Sequence, residues 1–513
     1  MQQNKNLAEF NINSSIKLDE NDIDPISLDK LIDLLPNEII DIELNYDGNI
    51  VRRCYKIRSL YQWIKINPID PETRIPFSHE NIGDIQEAYN KLPPPPLQFR
   101  NNNIIEYNLT SLLSLGSIIN IDDYAFQNNE LRSLPPMDSV ITIGKKAFAE
   151  NRLRLLPSMD SLITIGKEAF AGNQIKELLS MKSLKTIGES AFAGNQVTTL
   201  PLMDSVISIG ESAFQYNQLI SLPIMDSLIT IDKEAFASNE LETILSMNSV
   251  ISIGESAFQY NKLISLPTMD SLITIDKEAF ASNELETLLS MNSLETISER
   301  GFAFNKLTSL PSMNSLISIG NSAFSGNTLI SIGQMNALRT IGDYAFDHSE
   351  IILLPPIDSL ITIGKGAFGN NNLRSISSMN SIITIGVLAF SGNKLTLLPS
   401  LNSVVTICNS AFAYNNLQLL PPMDSLITIG DSAFKCNKLQ LLSQMNCLKT
   451  IGNNAFNYNQ LTSVSIPNSV TSIGDHAFSN NKLLESVIIP RRFESRIKNI
   501  FDDDIDVNII HYI

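Results

Sequence analysis

Phe148-Ala149-Glu150-Asn151-Arg152-Leu153-Arg154-Leu155-Leu156-Pro157-Ser158-Met159-Asp160-Ser161-Leu162-Ile163-Thr164-Ile165-Gly166-Lys167-Glu168-Ala169-Phe170 is one full period of this chain. Phenylalanine returns after 22 residues here, and it does so from Phe126 to Phe478, giving seventeen rings without an insertion or deletion between them. A period held for that long marks a solenoid, in which each repeat is one coil stacked on the next. The residue five before Phe is Ile in all seventeen repeats, and the residue before Phe is Ala in all but one, where Gly301 stands. A side chain stacked on its own copy must present the same shape each time. Uniform Ile, Phe and Leu columns therefore read as a close-packed interior.

The polar positions of the period carry information too. Asn stands three residues after Phe in sixteen coils, with Ser349 the exception. Its amide offers a donor side and an acceptor side, which suits an internal ladder satisfying buried backbone groups better than a ligand contact. Thirteen of the fourteen methionines share one phase, Met137 to Met445. Such a stripe is either an adaptable binding surface or core filler, and regular spacing inside a stack favours the core. The Leu-x-x-Leu-Pro and Leu-Ile-Thr-Ile-Gly segments have short β-like alternation, with Met-Asp-Ser turn chemistry between them. Gly-Lys-Lys-Ala-Phe-Ala is expected to form a helical or 3₁₀ turn.

Composition narrows the function. The net charge is −17 over 513 residues, with 18% charged residues. No basic stripe is present to displace counterions from phosphates, which argues against nucleic acid. An anionic membrane surface would repel the chain. No apolar run reaches 18 residues and the N-terminus lacks a signal-peptide core, so an intracellular, cytoplasmic location is expected, or export without a cleaved leader. Cys54, Cys408, Cys436 and Cys447 fall at unrelated phases, with no Cys/His ligand spacing. They read as free thiols, and no metal or other cofactor is expected.

Ser469-Val470-Thr471-Ser472-Ile473-Gly474-Asp475-His476-Ala477-Phe478, preceded by Leu461-Thr462-Ser463-Val464-Ser465-Ile466-Pro467, resembles the BspA-like class of leucine-rich repeats, and the resemblance runs from about 104 to 490. It implies a long right-handed solenoid of short parallel strands joined by helical or 3₁₀ turns. The expected organisation is a capping coil at 104–125, repeats at 126–490, and a C-terminal cap at 491–513 made of an amphipathic helix and a short strand. Residues 207–250 and 251–294 match at 40 of 44 positions, so the array grew by duplication, and near-identical coils cannot each hold a unique catalytic role.

Ahead of the array, residues 1–22 are polar and read as disordered. Residues 91–103 open with Lys-Leu-Pro-Pro-Pro-Pro-Leu, a stiff spacer. Between them, 23–90 reads as a compact α+β module. Asp24-Pro25-Ile26-Ser27-Leu28 opens it, and a hairpin turns at Tyr46-Asp47-Gly48-Asn49. A helix is expected from about Ile57 to Ile66, with Leu60 and Trp63 on one face, and another near Ile82–Asn90. With Asp70-Pro71-Glu72-Thr73-Arg74-Ile75-Pro76 between the helices, this order resembles a U-box, the zinc-free, RING-shaped ubiquitin-ligase module. The resemblance implies that Ile26, Leu28, Trp63 and Pro71 form an apolar patch for a ubiquitin-conjugating enzyme. It places Arg74 where the family has a cation bridging that enzyme and ubiquitin. The plainer alternative is that Ile26, Leu28 and Trp63 are core residues of a small domain and Arg74 an ordinary surface arginine.

Two functions from different classes follow. One is a ligase-like adaptor, with the module recruiting a conjugating enzyme and the solenoid holding a protein substrate; it would act by proximity and supply no nucleophile. The other is a non-catalytic interaction or adhesion scaffold. A conventional enzyme is a distant third, since no nucleophile elbow, Walker loop or His-Glu-x-x-His is present.

Overall fold

The computed structural model describes residues 39–46, 49–57, 60, 61, 64, 77, 79–91, 109–112, 115, 118–503 and 505–513. The chain divides into two units, 1–97 and 98–513.

In the first unit, β1 (Ile39–Tyr46) and β2 (Asn49–Lys56) pair antiparallel with Tyr46 opposite Asn49, the hairpin expected from Asp-Gly. Ile57, Leu60, Tyr61 and Ile64 are helical and all buried, the spacing of one helix face. Tyr55, Leu60, Tyr61, Ile64, Phe77 and Ile85 make one small core, the last of these from helix α1 (His79–Lys91), whose Tyr89 stacks on Tyr61 at 3.9 Å.

The second unit is the solenoid. Seventeen two-residue strands, from Asn120–Ile121 through Thr164–Ile165 to Ser472–Ile473, pair in parallel and in coil order. The row is open, because its first strand pairs only with Thr142–Ile143 and its last only with Thr450–Ile451. Behind it the Phe rings superpose from coil to coil, with centroids 5.1 to 5.6 Å apart and planes within 12° of parallel. Leu, Met and Ile columns complete one continuous core. The methionines of the stripe are buried, so they fill the stack and do not form a surface.

The Asn column is the ladder its chemistry predicts. In a typical coil Asn151 Nδ2 donates to Phe148 O (3.1 Å) and to Phe126 O of the preceding coil (2.8 Å), while its Oδ1 accepts from Leu131 N (3.1 Å). Each amide thus satisfies backbone groups that the core would otherwise strand away from water.

Three expectations need correction. The Gly-Lys-Lys-Ala-Phe-Ala stretch is neither helical nor 3₁₀. It is a pair of overlapping turns, closed by Ala147 N to Gly144 O (3.3 Å) and Ala149 N to Lys146 O (3.2 Å), with Lys146 and Glu150 both at φ of 54°. Every regular coil repeats this, with left-handed residues two before and two after Phe, and few of them are Gly. The physical reason lies in the amides. Lys146, Phe148 and Glu150 N–H donate to Lys167, Ala169 and Ala171 O of the next coil at 2.8–2.9 Å. A helical turn would aim all of them along its own axis and leave the stack unbonded.

The Leu-Ile-Thr-Ile alternation also breaks. Leu162 and Ile165 point inward, whereas Ile163 is exposed and Thr164 half-buried, because both their N–H groups donate to Ile141 O (2.8 and 3.3 Å), a bulge. The closing helix, finally, is mostly 3₁₀: Arg491–Arg496 is 3₁₀, and only Ile497–Ile500, α2, is α-helical. A strand, Ile510–Tyr512, then pairs in parallel with Ser486–Ile489. Between them Phe501 stacks on Phe478 at 5.4 Å as a further ring of the column. It lies one residue beyond the regular spacing because the last coil has an extra residue, as the pairing of Ser463 with Ser486 shows.

The Leu-x-x-Leu-Pro strands form only in patches, among them the run Ser309–Leu310, Ser331–Ile332, Leu353–Leu354 and Ser375–Ile376. Proline has no N–H to give the ladder. Where Gly333 and Ser377 replace it, their amides donate back to Leu310 O and Leu354 O (2.9 and 3.3 Å).

Candidate interaction surface

With the Phe, Leu and Met columns consumed by the core, the side chains open to a partner lie outside it. The left-handed corner two residues after Phe carries the largest of these. Tyr216, Tyr260 and Phe304 stand there at φ of 55–56° and are 58–63% exposed, each two coils from the next. Tyr414 and Tyr458 continue the same phase further along, again two coils apart. The alternation with small residues (Ser238, Ser282, Gly326) has a steric origin. A Cβ on Gly326 would lie 2.7 Å from Cδ1 of Phe304, because that ring leans over the next coil's corner. At this pair of coils the Phe304 ring fills the space a larger neighbour would need, and the exposed rings form a comb.

At the position two residues further along the coil, opposite charges meet between neighbouring coils in three places among the described residues. Lys306 Nζ meets Glu284 at 2.8 Å, Arg152 meets Glu130 at 3.0 Å, and Lys262 meets Glu240. Hydrogen bonding to the partner raises the Lys262 and Lys306 ammonium groups above the ordinary lysine range and holds the Glu284 carboxyl below its own. Exposed pairs of this kind contribute little to stability and leave the edge polar. Across the Met-Asp-Ser turns, Asp160 accepts from Lys182 Nζ (2.8 Å) and from Ser180 Oγ, which holds its carboxyl below the usual range. Asp at this turn therefore ties one coil to the next.

An open recess of about 400 Å³ runs along the strand face and is lined by Thr, Ser, Ile and Gly of residues 296–364, with Asn321 and Asp343. It presents no nucleophile–base pair. Cys408, Cys436 and Cys447 are free, and burial raises the Cys408 thiol. Among the described residues, no three His, Cys, Asp or Glu side chains converge as metal ligands, and no helix is long and apolar enough to cross a membrane.

Ile26, Leu28, Trp63, Pro71 and Arg74, the residues of the expected conjugating-enzyme patch, lie outside the described residues. The comb escapes a reading of the sequence that looks for a concentrated aromatic patch. Its signal is the 44-residue duplication, which places Tyr216 and Tyr260 at equivalent positions.

A stack with one parallel strand per coil, Leu, Ile and Phe columns inside and an Asn ladder is a leucine-rich-repeat solenoid. A family model described as the BspA type leucine rich repeat region matches residues 99–221, 207–329, 295–418 and 394–508. The chain belongs to the BspA-type leucine-rich-repeat family. The match begins at residue 99, so residues 23–90, where a U-box was expected, lie outside it. Similar solved structures include a leucine-rich repeat protein from Bacteroides ovatus (19% identity, 94% of this chain and 100% of that one, TM-score 0.32). The pneumococcal vaccine antigen PcpA is similar at 21% identity over 65% of this chain and 93% of that one (TM-score 0.34). A leucine rich cell surface protein from Faecalibacterium prausnitzii is similar at 22% identity over 68% and 77% (TM-score 0.25). No curated protein matches.

Proposed function

We propose that this protein is a non-catalytic scaffold that binds another protein along its solenoid, with the aromatic comb as the principal contact. The observation that carries this reading is the exposure of Tyr216, Tyr260 and Phe304 in one row on a stack whose Phe, Leu and Met columns are buried. Exposed aromatic side chains on a rigid frame supply contact area at low entropic cost, and Tyr is enriched where interfaces concentrate their energy. The test replaces Tyr216, Tyr260 and Phe304 with Ser, the residue the same corner carries at 238 and 282. Proteins captured by the wild-type chain should be lost from the triple variant while its melting is unchanged. Unaltered capture would move the binding surface elsewhere.

The U-box resemblance of residues 23–90 supports a second, finer reading, in which that module recruits a ubiquitin-conjugating enzyme to a protein held by the repeats. Purified chain incubated with activating enzyme, a panel of conjugating enzymes and ubiquitin would then build ubiquitin chains, and Ile26→Ala or Pro71→Ala would stop them. Failure of the wild-type chain with every enzyme of the panel leaves the scaffold reading alone. A cytoplasmic location belongs to this second reading.

A further inference from the structure

The outward face of the parallel ladder carries an exposed apolar column. The bulge described above turns two columns outward, one of Thr or Ser and one dominated by Ile. In the second column Ile207, Ile229, Ile251, Ile273, Ile317 and Ile383 are each 37–45% exposed. A row of exposed apolar side chains of this length marks a surface suited to a partner. The hydroxyl column does not oppose burial, since its members can bond along the stack, as Ser318 Oγ does to Thr296 Oγ1 (3.4 Å).

From the placement of charge within this column we infer that the occupant is a second copy of the chain, packed face to face with its stack running in the opposite direction. Between Ile207 and Ile427 the column holds only two charges, Glu295 and Arg339, one coil to either side of Ile317. A twofold axis through Ile317 sets Glu295 of each copy against Arg339 of the other. The same axis sets Ile317 on itself, Ile273 on Ile361, Ile251 on Ile383, Ile229 on Val405 and Ile207 on Ile427. The same axis sets Lys185 of each copy against Lys449 of the other, so the contact ends short of these like charges, at Ile207 and Ile427.

A shift of one coil in either direction buries both charges against aliphatic side chains, which is costly. A parallel arrangement sets Glu295 on Glu295 and Arg339 on Arg339. One register alone pairs both charges, and an isologous twofold contact is the commonest way a soluble chain associates with itself. The comb occupies a different corner of the coil, so the dimer leaves it free and doubles the number of combs available to a multivalent partner.

Sedimentation equilibrium of the full chain tests this directly. The wild type should be a dimer. Glu295→Arg and Arg339→Glu should each weaken it by about tenfold or more, because each creates like-charge pairs in the contact. Mixed in equal amounts, the two single variants should recover wild-type affinity as a heterodimer, since one copy then carries two cations and the other two anions at the facing positions. Circular dichroism melts of each variant establish that the fold is intact. A monomeric wild type, a dimer indifferent to either swap, or single variants that fail to recover on mixing would each overturn the inference.

Discussion

At residue 349 the Asn column breaks, and the break has consequences. In the other coils the Asn amide accepts a backbone N–H from the coil before, as Asn327 does from Leu307 (3.0 Å). Here Ser349 Oγ is buried without a partner, and Leu329 N is left without that acceptor. Burying an unmet donor or acceptor costs about 1–3 kcal/mol. Ser349→Asn should therefore raise stability by about 1–2 kcal/mol in chemical denaturation. A second residue breaks a different column. Asp276 stands where most coils have Gly, and desolvation, reinforced by the Glu255 charge, raises its pKa above 3.8. A raised acid pKa means the folded state holds its proton more tightly than the unfolded state. The handicap is therefore absent below 3.8, grows as pH rises through the carboxylate range, and is complete above the folded value. Asp276→Asn should stabilise at neutral pH and make no difference in acid. The residue is still reached by water, so solvent screening holds the gain below about 1 kcal/mol. Denaturant midpoints measured across that range would show whether the two curves converge in acid.

At the scale of the element, the cap shows how a stack ends. An uncapped coil would leave Phe478 and its backbone facing water. The cap answers with Phe501 stacked on the ring, and with Asn499 O and Ile500 O accepting from His476 N (2.5 Å) and Phe478 N (3.0 Å). Arg496 Nη1 adds a bond to Ile473 O (2.7 Å) at the last strand of the row. Phe501→Ala should cost about 3–5 kcal/mol of local stability. The loss should appear as faster hydrogen exchange in the final coils, with the middle of the array unchanged, because each coil contacts only its neighbours.

For the whole molecule, that nearest-neighbour logic makes the array divisible. Deleting 251–294 joins Val250 to Glu295 where Leu294 joined it before, and the coils on either side meet nearly identical surfaces. The shortened chain should fold with an unchanged circular dichroism spectrum per residue. Removing a length that is not a multiple of the 22-residue period should instead disrupt cooperative unfolding, because every column beyond the junction loses its register.

The period, the buried columns, the Asn ladder and the Asp-Gly hairpin were all legible in the chain itself. A side chain that must stack on its own copy leaves a mark in sequence phase, and phase needs no coordinates to read. The candidate surface was legible only in part: the duplication repeats Tyr216 at Tyr260, but their exposure follows from the left-handed corner that carries them. Packing between coils settled conformation and direction. It set the left-handed corners at Lys146 and Glu150 and the bulge that turns Ile163 and Thr164 outward together. Those features depend on where each amide finds its acceptor in the neighbouring coil, a choice made only when the coils meet.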